Sequence, residues 1–290
     1  MSRYKLTIMN DFTLEAYKTF LNTFQSYGYA FQTLLMFVNN HLRKSVVLRH
    51  DVDKKPGYAA RMARIEADSG IVASYYFRTV GPAFSPELIR EIYQMGHEIG
   101  YHYENLSRVA AENKNLNHGQ LLELAKEDFR GNLKKLRELV PIKTICMHGS
   151  PLSKLDNRDL WSVYDYRDFG IECEPYLDID FSEVFYLTDT GRRWDGDHVS
   201  IRDWVSRGNQ EWPVYRKTRD IIDAIQAGNF PLKSMVTTHP QRWTDDRGEW
   251  IWEAVSQRLK NVGKSLLIST RKKDKRMVPS ISNLDENNRR

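Results

Sequence analysis

The sequence predicts a single α/β domain built around a mainly parallel β-sheet. Two observations carry this prediction: short apolar runs rich in β-branched and aromatic residues recur along the chain, and helical segments of about 10–20 residues separate them. The chain of 290 residues is long enough for one such domain. Because no internal repeat or low-complexity linker interrupts residues 1–270, we expect them to form one unit.

The predicted elements follow one another in regular order. Apolar residues three and four positions apart predict a helix over 12–40. The predicted strands are SVVLRHDVD (45–53), ASYYFR (73–78), HEIGYHYE (97–104), TICMHG (144–149) and SMVTTHP (234–240). Further helices are predicted before Gly70 and at 85–96, 119–139, 156–168, 218–228 and 246–261, and residues 180–205 hold several strand-or-loop candidates.

The positive charge is concentrated at the C-terminal end of the chain. The formal net charge is +5, and residues 271–290 contain seven basic and three acidic side chains. The rest of the chain is therefore nearly neutral, which argues against a nucleic-acid-binding face. We expect 271–290 to be a disordered tail that is either simply solvated or makes weak contact with an anionic membrane surface.

The N-terminus and the cysteines favour a cytoplasmic protein. The first residues, MSRYKLTIMNDF, lack the apolar core of a signal peptide, and no apolar run is long enough for a transmembrane helix. Cys146 and Cys173 lie in strand-like segments and fit buried thiols in a reducing compartment.

Titratable side chains lie where the predicted strands end. Asp51, Asp53, His102, His148 and His239 each lie at or just beyond the end of an apolar run. The carboxyl ends of parallel strands are where βα folds assemble their sites. Four distant strands thus bring three histidines and two carboxylates to one face, and this convergence predicts an enzyme.

Two motifs carry the predicted chemistry. In RHDVD, Asp51 and Asp53 are two residues apart, so one carboxylate can bind a cation while the other acts as a base. The alternative is structural: a helix N-cap combined with a salt bridge to Arg49. In GHEIGYHYENL (96–106), histidines and carboxylates occur together, a ligand set that suits zinc or another first-row divalent metal rather than calcium or magnesium.

With these motifs the sequence resembles the polysaccharide deacetylases, carbohydrate esterase family 4. The resemblance extends over about residues 45–240, and GHEIG with the histidine that follows it is its most specific part. It implies a deformed (β/α) barrel of about seven mainly parallel strands and hydrolytic removal of acetyl groups from sugars. It also implies a divalent metal, zinc first, with these roles: Asp51 as base, Asp53 and His102 as metal ligands, His97 as a supporting residue and His239 as acid.

The sequence departs from the family pattern at one ligand position. The second metal-binding histidine of the family corresponds to Leu106 here. We expect His148 to complete the metal site in its place, with Glu104 as the next candidate. The alternative for His148 is a hydrogen bond to the substrate or to the base. A set of Asp53, His102 and His148 leaves an open position, as a catalytic zinc site requires.

Two later segments, 188–197 and 239–246, combine arginine, tryptophan and aspartate. Aromatic faces stack on sugar rings, and arginines bind hydroxyl or phosphate groups. The predicted substrate-binding residues are Arg192, Arg193, Trp194, Arg242 and Trp243, and Asp189 or Asp195 is expected to orient His239. A solvated loop with a buried tryptophan is the alternative for each of these residues.

The predicted function is N-deacetylation of an acylated amino sugar by a metal-dependent hydrolase. The expected substrate is a nucleotide- or lipid-linked intermediate of surface polysaccharide or lipopolysaccharide synthesis, because a cytoplasmic enzyme does not meet mature wall polymer. Two alternatives stay open: hydrolysis of non-sugar C–N bonds of the ureide type, and a non-catalytic carbohydrate-binding protein that lost its metal with Leu106.

Overall fold

The computed structural model describes residues 10–150, 153–195, 205–206 and 208–277, with side chains described as far as residue 263. Within these residues seven strands form one sheet, and every pairing is parallel. The strands are β1 (Ala30–Gln32), β2 (Ser45–Val52), β3 (Ser74–Phe77), β4 (Glu98–Tyr103), β5 (Ile145–Met147), β6 (Phe185–Thr188) and β7 (Lys233–Thr238). The predicted parallel α/β sheet is therefore confirmed.

The strand order makes the sheet a curled half-barrel. The order is β5-β4-β3-β2-β7-β6, and β1 pairs with the first residues of β2, whereas β3 pairs with its last. In the described part of the chain the edge strands β5 and β6 do not pair with each other. The barrel expected from the family resemblance is thus present as parallel strands that do not close into a ring of hydrogen bonds.

Helices connect or flank the strands. Over the described residues they are α1 (Leu14–Ser26), α2 (Leu34–Asn39), α3 (Pro56–Asp68), α4 (Pro86–Gln94), α5 (Asn105–Glu112), α6 (His118–Arg137), α7 (Pro175–Asp178), α8 (Thr218–Gln226) and α9 (Arg247–Met277). None of them combines the length and the apolar character needed to cross a membrane, within the part of the chain that is described. Cys146 and Cys173 are buried thiols, as predicted.

Strand β2 lies inside the sheet and is buried along its whole length. Val46 and Leu48 belong to one apolar cluster and Val47 to another, because successive strand side chains point to opposite faces. The last part of the strand, from Arg49 to Asp51, is just as buried although it is polar. Buried polar groups require hydrogen-bond or charged partners, so this end of β2 must meet other polar side chains.

Three predicted elements differ from the structure. The single helix predicted over 12–40 is wrong, because Gly28, at a φ of 77°, ends the first helix and is followed by β1 and α2. The predicted helix over 156–168 consists of short 3-10 turns. The final helix runs to Met277, beyond its predicted end at 261 and into the segment predicted to be a disordered tail. The rest of that tail, 278–290, and the strand-or-loop candidates at 196–204 lie outside the described residues.

Candidate metal centre

The carboxyl ends of four strands bring the five titratable residues together. Asp51 lies in β2 and Asp53 directly after it, His102 lies in β4, and His148 and His239 follow β5 and β7. His102 Nε2 is 3.9 Å from Asp51 Oδ2, and His239 Nε2 is 3.9 Å from Asp53 Oδ2. The five side chains therefore meet at one edge of the sheet.

Three of these side chains have the spacing of metal ligands. Asp53 Oδ1 lies 3.5 Å from His102 Nε2 and 3.1 Å from His148 Nδ1. The two imidazole nitrogens are 3.2 Å apart. Tetrahedral zinc with bonds of about 2.0–2.1 Å requires ligand atoms about 3.3 Å from one another. The three atoms are thus already at the distances that a divalent cation imposes on its ligands.

The hydrogen bonds from outside this set leave its inner atoms facing one another, and His148 Nδ1 and His102 Nε2 are within hydrogen-bond distance. His102 Nδ1 lies 2.9 Å from the Cys146 carbonyl, which can only accept, so Nδ1 carries the proton and Nε2 offers its lone pair. Within the described residues Asp53 Oδ1 is buried without a hydrogen-bond partner, since His148 Nδ1 approaches it outside hydrogen-bond geometry. A buried carboxylate oxygen without a donor is costly. The residues therefore fit a cation held by Asp53, His102 and His148.

A second set of atoms, from Asp51, His102 and Cys146, also lies close together. It fits a metal less well, because both Asp51 oxygens already accept hydrogen bonds from Arg49. A cation there would have to displace a guanidinium that is fully buried. The set with Asp53 and His148 requires no such displacement.

The electrostatics of the site favour positive charge. Burial acts to raise the pKa of Asp53, but His148 and His102 outweigh it and hold that pKa well below its usual value. Burial acts to lower the pKa of His102, but Asp51 and Asp53 outweigh it and raise that pKa. Both pKa shifts have one cause, the attraction between the carboxylates of Asp51 and Asp53 and the neighbouring imidazoles.

Arg49 holds the carboxylate of Asp51. Its Nε and Nη2 donate to Asp51 Oδ1 and Oδ2 at 3.0 and 2.9 Å. Burial acts to raise the pKa of Asp51, but the Arg49 guanidinium outweighs it and lowers the pKa. The salt bridge of the structural alternative therefore exists, whereas its N-cap does not, because Lys55 occupies the N-cap position of α3. Asp51 is an ionised carboxylate beside the candidate metal ligands.

A buried group of donors and acceptors orients His239. His239 Nδ1 lies 2.6 Å from Asp189 Oδ1, and its backbone N–H donates to Asp189 Oδ2 at 3.0 Å. Arg242 Nη1 and Trp243 Nε1 donate to the same carboxylate at 2.5 and 2.9 Å. Burial acts to raise the pKa of Asp189, but Arg242 and His239 lower it to about 2. Asp189 is thus an ionised group beside His239 Nδ1, and His239 Nε2 faces the candidate metal ligands.

Both tryptophans predicted to bind substrate belong to the core. Trp194 is 3% exposed and Trp243 is 1% exposed, and both rings pack against Phe12. Their predicted role in stacking on a sugar is wrong, because neither ring is open to a ligand. Arg242 is buried too, and its role is to hold Asp189 rather than a substrate.

The two arginines of the 188–197 segment have different surroundings. The Arg192 guanidinium packs over Trp250 and donates to its carbonyl oxygen at 2.9 Å, so it anchors the segment to α9. Arg193 pairs with Asp195 through two hydrogen bonds of 2.6 and 2.8 Å and keeps 39% of its side chain exposed. Substrate binding by Arg193 stays a prediction. Asp195 binds Arg193, and it is Asp189 that contacts His239.

Glu104 stands behind His148 rather than among the ligands. Arg78 donates to both Glu104 oxygens at 2.7 and 2.9 Å, and Glu104 Oε2 lies 3.9 Å from His148 Nε2. Arg78 also donates to the Asp53 carbonyl at 3.2 Å, so it links Glu104 to the segment that carries Asp53. A cleft of about 510 Å³ opens beside this pair, lined in part by Arg78, Glu104, Ser107, Arg108, Ser150 and Lys154.

His97 supports the fold away from the metal ligands. Its Nδ1 accepts from the Ala73 N–H at 3.2 Å, and its Nε2 donates to the Ala63 carbonyl at 3.0 Å. Burial is the main cause of its lowered pKa. Both nitrogens of a neutral ring are therefore satisfied by backbone groups, which agrees with a supporting role.

Two arginines at the site were not predicted to act there. Arg49 appeared only as a structural partner of Asp51, and Arg78 was taken as the end of a strand. The sequence held a sign of each role. Arg49 lies inside an apolar run, where a buried arginine needs a carboxylate, and Arg78 directly follows β3. What the sequence could not supply was the identity of the two carboxylates, Asp51 and Glu104.

Comparison with solved structures finds similar chains in carbohydrate esterase family 4, the family that the motifs resemble. A Streptococcus mutans CE4 esterase is 16% identical, with 84% of this chain and 90% of that chain covered and a TM-score of 0.40. A family 4 carbohydrate esterase from Bacillus anthracis is 15% identical, with 80% and 93% covered and a TM-score of 0.35. A CE4 family pseudoenzyme from Bacillus anthracis is 13% identical, with 77% and 62% covered and a TM-score of 0.38.

The chain spans less than two thirds of that pseudoenzyme's length. No protein-family model matches the sequence. A search of curated proteins found no match either. Identities and TM-scores as low as these do not assign a family or an activity to this chain.

Proposed function

We propose that this protein is a metal-dependent hydrolase that removes an acyl group from an acylated amino sugar. The observation that carries the proposal is the spacing of Asp53 Oδ1, His102 Nε2 and His148 Nδ1, which lie 3.1 to 3.5 Å from one another. An ionised carboxylate, Asp51, and an oriented imidazole, His239, flank this set. A metal site with a base and an acid beside it is the arrangement that amide hydrolysis uses.

The cation would be held by Asp53, His102 and His148. When bound, a divalent metal supplies Lewis-acid chemistry, which makes an amide carbonyl more electrophilic and a water molecule more acidic. Asp51 is ionised, so it can accept the proton that water loses as its oxygen attacks the acyl carbon. Arg49 keeps the Asp51 carboxylate in place and ionised until it takes this proton.

His239 is suited to the second proton transfer. Asp189 holds the Nδ1–H, so a protonated His239 donates from Nε2, the nitrogen that faces the metal ligands. The C–N bond of the amide breaks, the proton passes to the leaving sugar nitrogen, and the acyl group leaves as a carboxylate. A histidine suits this step because its ordinary pKa of about 6.5 lies near neutral pH.

The cleft beside Glu104 supports a proposal for the substrate class. We propose that it receives the phosphates of a nucleotide- or lipid-linked amino sugar, with the exposed Lys154 as a cation that contacts them. Arg78 and Arg108 also line the cleft and are already paired with Glu104 and Asp128. This cleft, rather than Arg192, supplies the cations for such groups in the proposal. We place the reaction in the cytoplasm, on an intermediate of surface polysaccharide or lipopolysaccharide synthesis.

The test combines metal content with acyl release. The purified chain is expected to hold about one zinc or other divalent ion per molecule and to release acetate from N-acetylated sugars, free, nucleotide-linked or lipid-linked. Asp51→Asn should keep the metal and lower the rate by about 10²- to 10⁴-fold, as removal of a general base does. The exposed His118, outside the site, serves as the control, and His118→Ala should change neither quantity.

Three outcomes would contradict the proposal. Metal-free protein that turns over ureides would favour the non-sugar hydrolase. Protein without metal that binds sugars but cleaves none would favour a binding protein. A folded, metal-loaded Asp51→Asn variant with nearly unchanged activity would remove Asp51 from the reaction. Because Asn weakens the partner of buried Arg49, rates are compared per folded molecule, measured by circular dichroism.

A further inference from the structure

Helix α9 carries a stripe of exposed apolar side chains. Ile251, Trp252, Val255, Leu259 and Val262 are 57%, 71%, 46%, 71% and 62% exposed. Their spacing places them on one arc that covers about 100° of the helix circumference. Large apolar side chains that are exposed singly are ordinary, but a continuous stripe marks an interaction surface.

The opposite face of α9 packs against the domain. Glu253 and Gln257 are buried there, Trp250 Nε1 donates to the Asp11 carbonyl at 2.8 Å, and Asn261 Nδ2 donates to the Gly191 carbonyl at 2.9 Å. The apolar stripe consequently points away from the protein. Among the described residues nothing covers it.

The positive charge of the chain lies on the same helix. Residues 256–277 contain eight basic side chains and one acidic one. Within them, 271–277 contain five basic and one acidic, whereas 278–290 contain two of each. The excess positive charge that was predicted to lie in a disordered tail therefore lies on the last two turns of α9. These turns continue the helix beyond the apolar stripe.

We infer that α9 docks on an anionic lipid surface, with its apolar stripe in the boundary between headgroups and acyl chains. An apolar arc with an exposed tryptophan, continued by a cluster of lysine and arginine, is the pattern of helices that lie in a membrane interface. A second copy of this chain is a poorer partner. Two α9 helices joined side by side in parallel would bring two strongly basic ends together, whereas anionic headgroups complement them.

Docking through α9 would bring the candidate metal centre towards the lipid. Lys54, which follows Asp53, lies 3.7 Å from Glu253 of α9, and Asn261 binds the Gly191 carbonyl close to Asp189. The loops that carry Asp53 and Asp189 thus border the docked helix. This consequence for a lipid-linked substrate rests on the proposed function, but the docking itself does not.

Sedimentation with vesicles tests the inference on the full chain. Vesicles of phosphatidylcholine with about one third phosphatidylglycerol should bind the protein, and vesicles of phosphatidylcholine alone should bind it at least tenfold more weakly. Salt at 1 M should release the protein, because the Debye length falls to about 3 Å at that ionic strength. Lys272→Gln with Lys273→Gln should weaken binding roughly 25-fold, or about fivefold for each charge. Trp252→Ser with Leu259→Ser should weaken it at least tenfold.

Matched controls separate the stripe from general surface effects. Val163→Ser with Val214→Ser changes two exposed apolar residues elsewhere, and Lys114→Gln with Lys134→Gln removes two exposed charges elsewhere; both should leave binding within about twofold. Absence of binding, equal binding to neutral vesicles, or binding that survives both α9 variants would overturn the inference. A dimer that disappears with Trp252→Ser and Leu259→Ser, without vesicle binding, would assign the stripe to a second copy. Acyl release from a soluble sugar does not depend on lipid, so failure here leaves the proposed reaction standing.

Discussion

The described residues include two clusters of one carboxylate and two histidines, and the two clusters differ in how far solvent reaches them. The metal cluster comprises Asp53, His102 and His148. The Glu66 cluster comprises Glu66, His50 and His97, with Glu66 Oε1 3.0 Å from His50 Nε2 and Glu66 Oε2 3.7 Å from His97 Nδ1. The same residue types are present in both, and each lies against strand β2.

The Glu66 cluster is closed by its neighbours. Tyr17 and Tyr75 donate to the two Glu66 oxygens at 2.5 and 2.8 Å, and His50 Nδ1 lies 2.6 Å from Thr238 Oγ1. Its carboxylate and both imidazoles have no exposed side-chain surface. Helices α1 and α3 and strands β2, β3 and β7 are joined through these contacts. Such a cluster stabilises the fold and leaves no room for a ligand.

The metal cluster is partly open to solvent. Asp53 and His148 keep 23% and 17% of their side chains exposed, and Asp53 Oδ1 has no hydrogen-bond donor among the described residues. A carboxylate with two histidines is therefore not by itself evidence of a site. Access to solvent distinguishes the cluster that can take up a cation, because Asp53 and His148 are partly exposed whereas Glu66, His50 and His97 are not.

The largest expected effect separates the two histidines of the GHEIGYH motif. His102→Asn should abolish metal binding and lower acyl release by at least 10³-fold, because a ligand is lost. His97→Asn should keep the metal but destabilise the fold by about 1–3 kcal/mol, since the Ala63 and Ala73 backbone groups lose their partners. Elemental analysis and urea unfolding measure both quantities. The comparison breaks if the two variants lose metal equally.

The Glu66 cluster should respond in stability alone. Glu66→Ala leaves two tyrosine hydroxyls and His50 in the core without their acceptor, which we expect to cost about 3–5 kcal/mol in the free energy of unfolding. Glu112→Ala removes an exposed partner of Arg108 and should cost less than about 1 kcal/mol. Chemical unfolding checks both values. If folded Glu66→Ala protein has lost its metal, the two clusters are not independent.

These clusters also show what sequence reasoning can and cannot resolve. The order of strands and helices, and the convergence of Asp51, Asp53, His102 and His239, follow from apolar periodicity and from the rule that βα folds use the carboxyl ends of strands. Which histidine of the motif is closed depends on contacts with Glu66 and with the Ala63 and Ala73 backbone. Glu66 lies 31 residues before His97 in the chain, so a local pattern does not predict this contact. The predicted role of Trp194 in stacking on a sugar is wrong because composition does not distinguish a buried aromatic side chain from an exposed one.

Another buried carboxylate, Glu174, sharpens the comparison because no cation among the described residues forms a salt bridge with it. Its oxygens accept from the backbone N–H groups of Met147, Tyr176 and Leu177 at 3.0, 2.7 and 3.1 Å. Burial nevertheless raises its pKa from 4.5 to about 7, against the lowering effect of the Met147 and Tyr176 hydrogen bonds. Asp51, which Arg49 binds directly, shifts in the opposite direction.

The pH dependence of stability follows from the sign of this shift. Because the folded-state pKa of Glu174 is the higher one, its contribution to stability is fully present below about pH 4.5 and is lost as the pH rises through about 7. The loss amounts to about 3 kcal/mol at most. Glu174→Gln cannot ionise, so the difference in unfolding free energy between wild type and variant should fall by about that amount between pH 5 and pH 8. Urea unfolding at the two pH values measures this difference, and two parallel curves would show that Glu174 ionises in the fold as easily as in the unfolded chain.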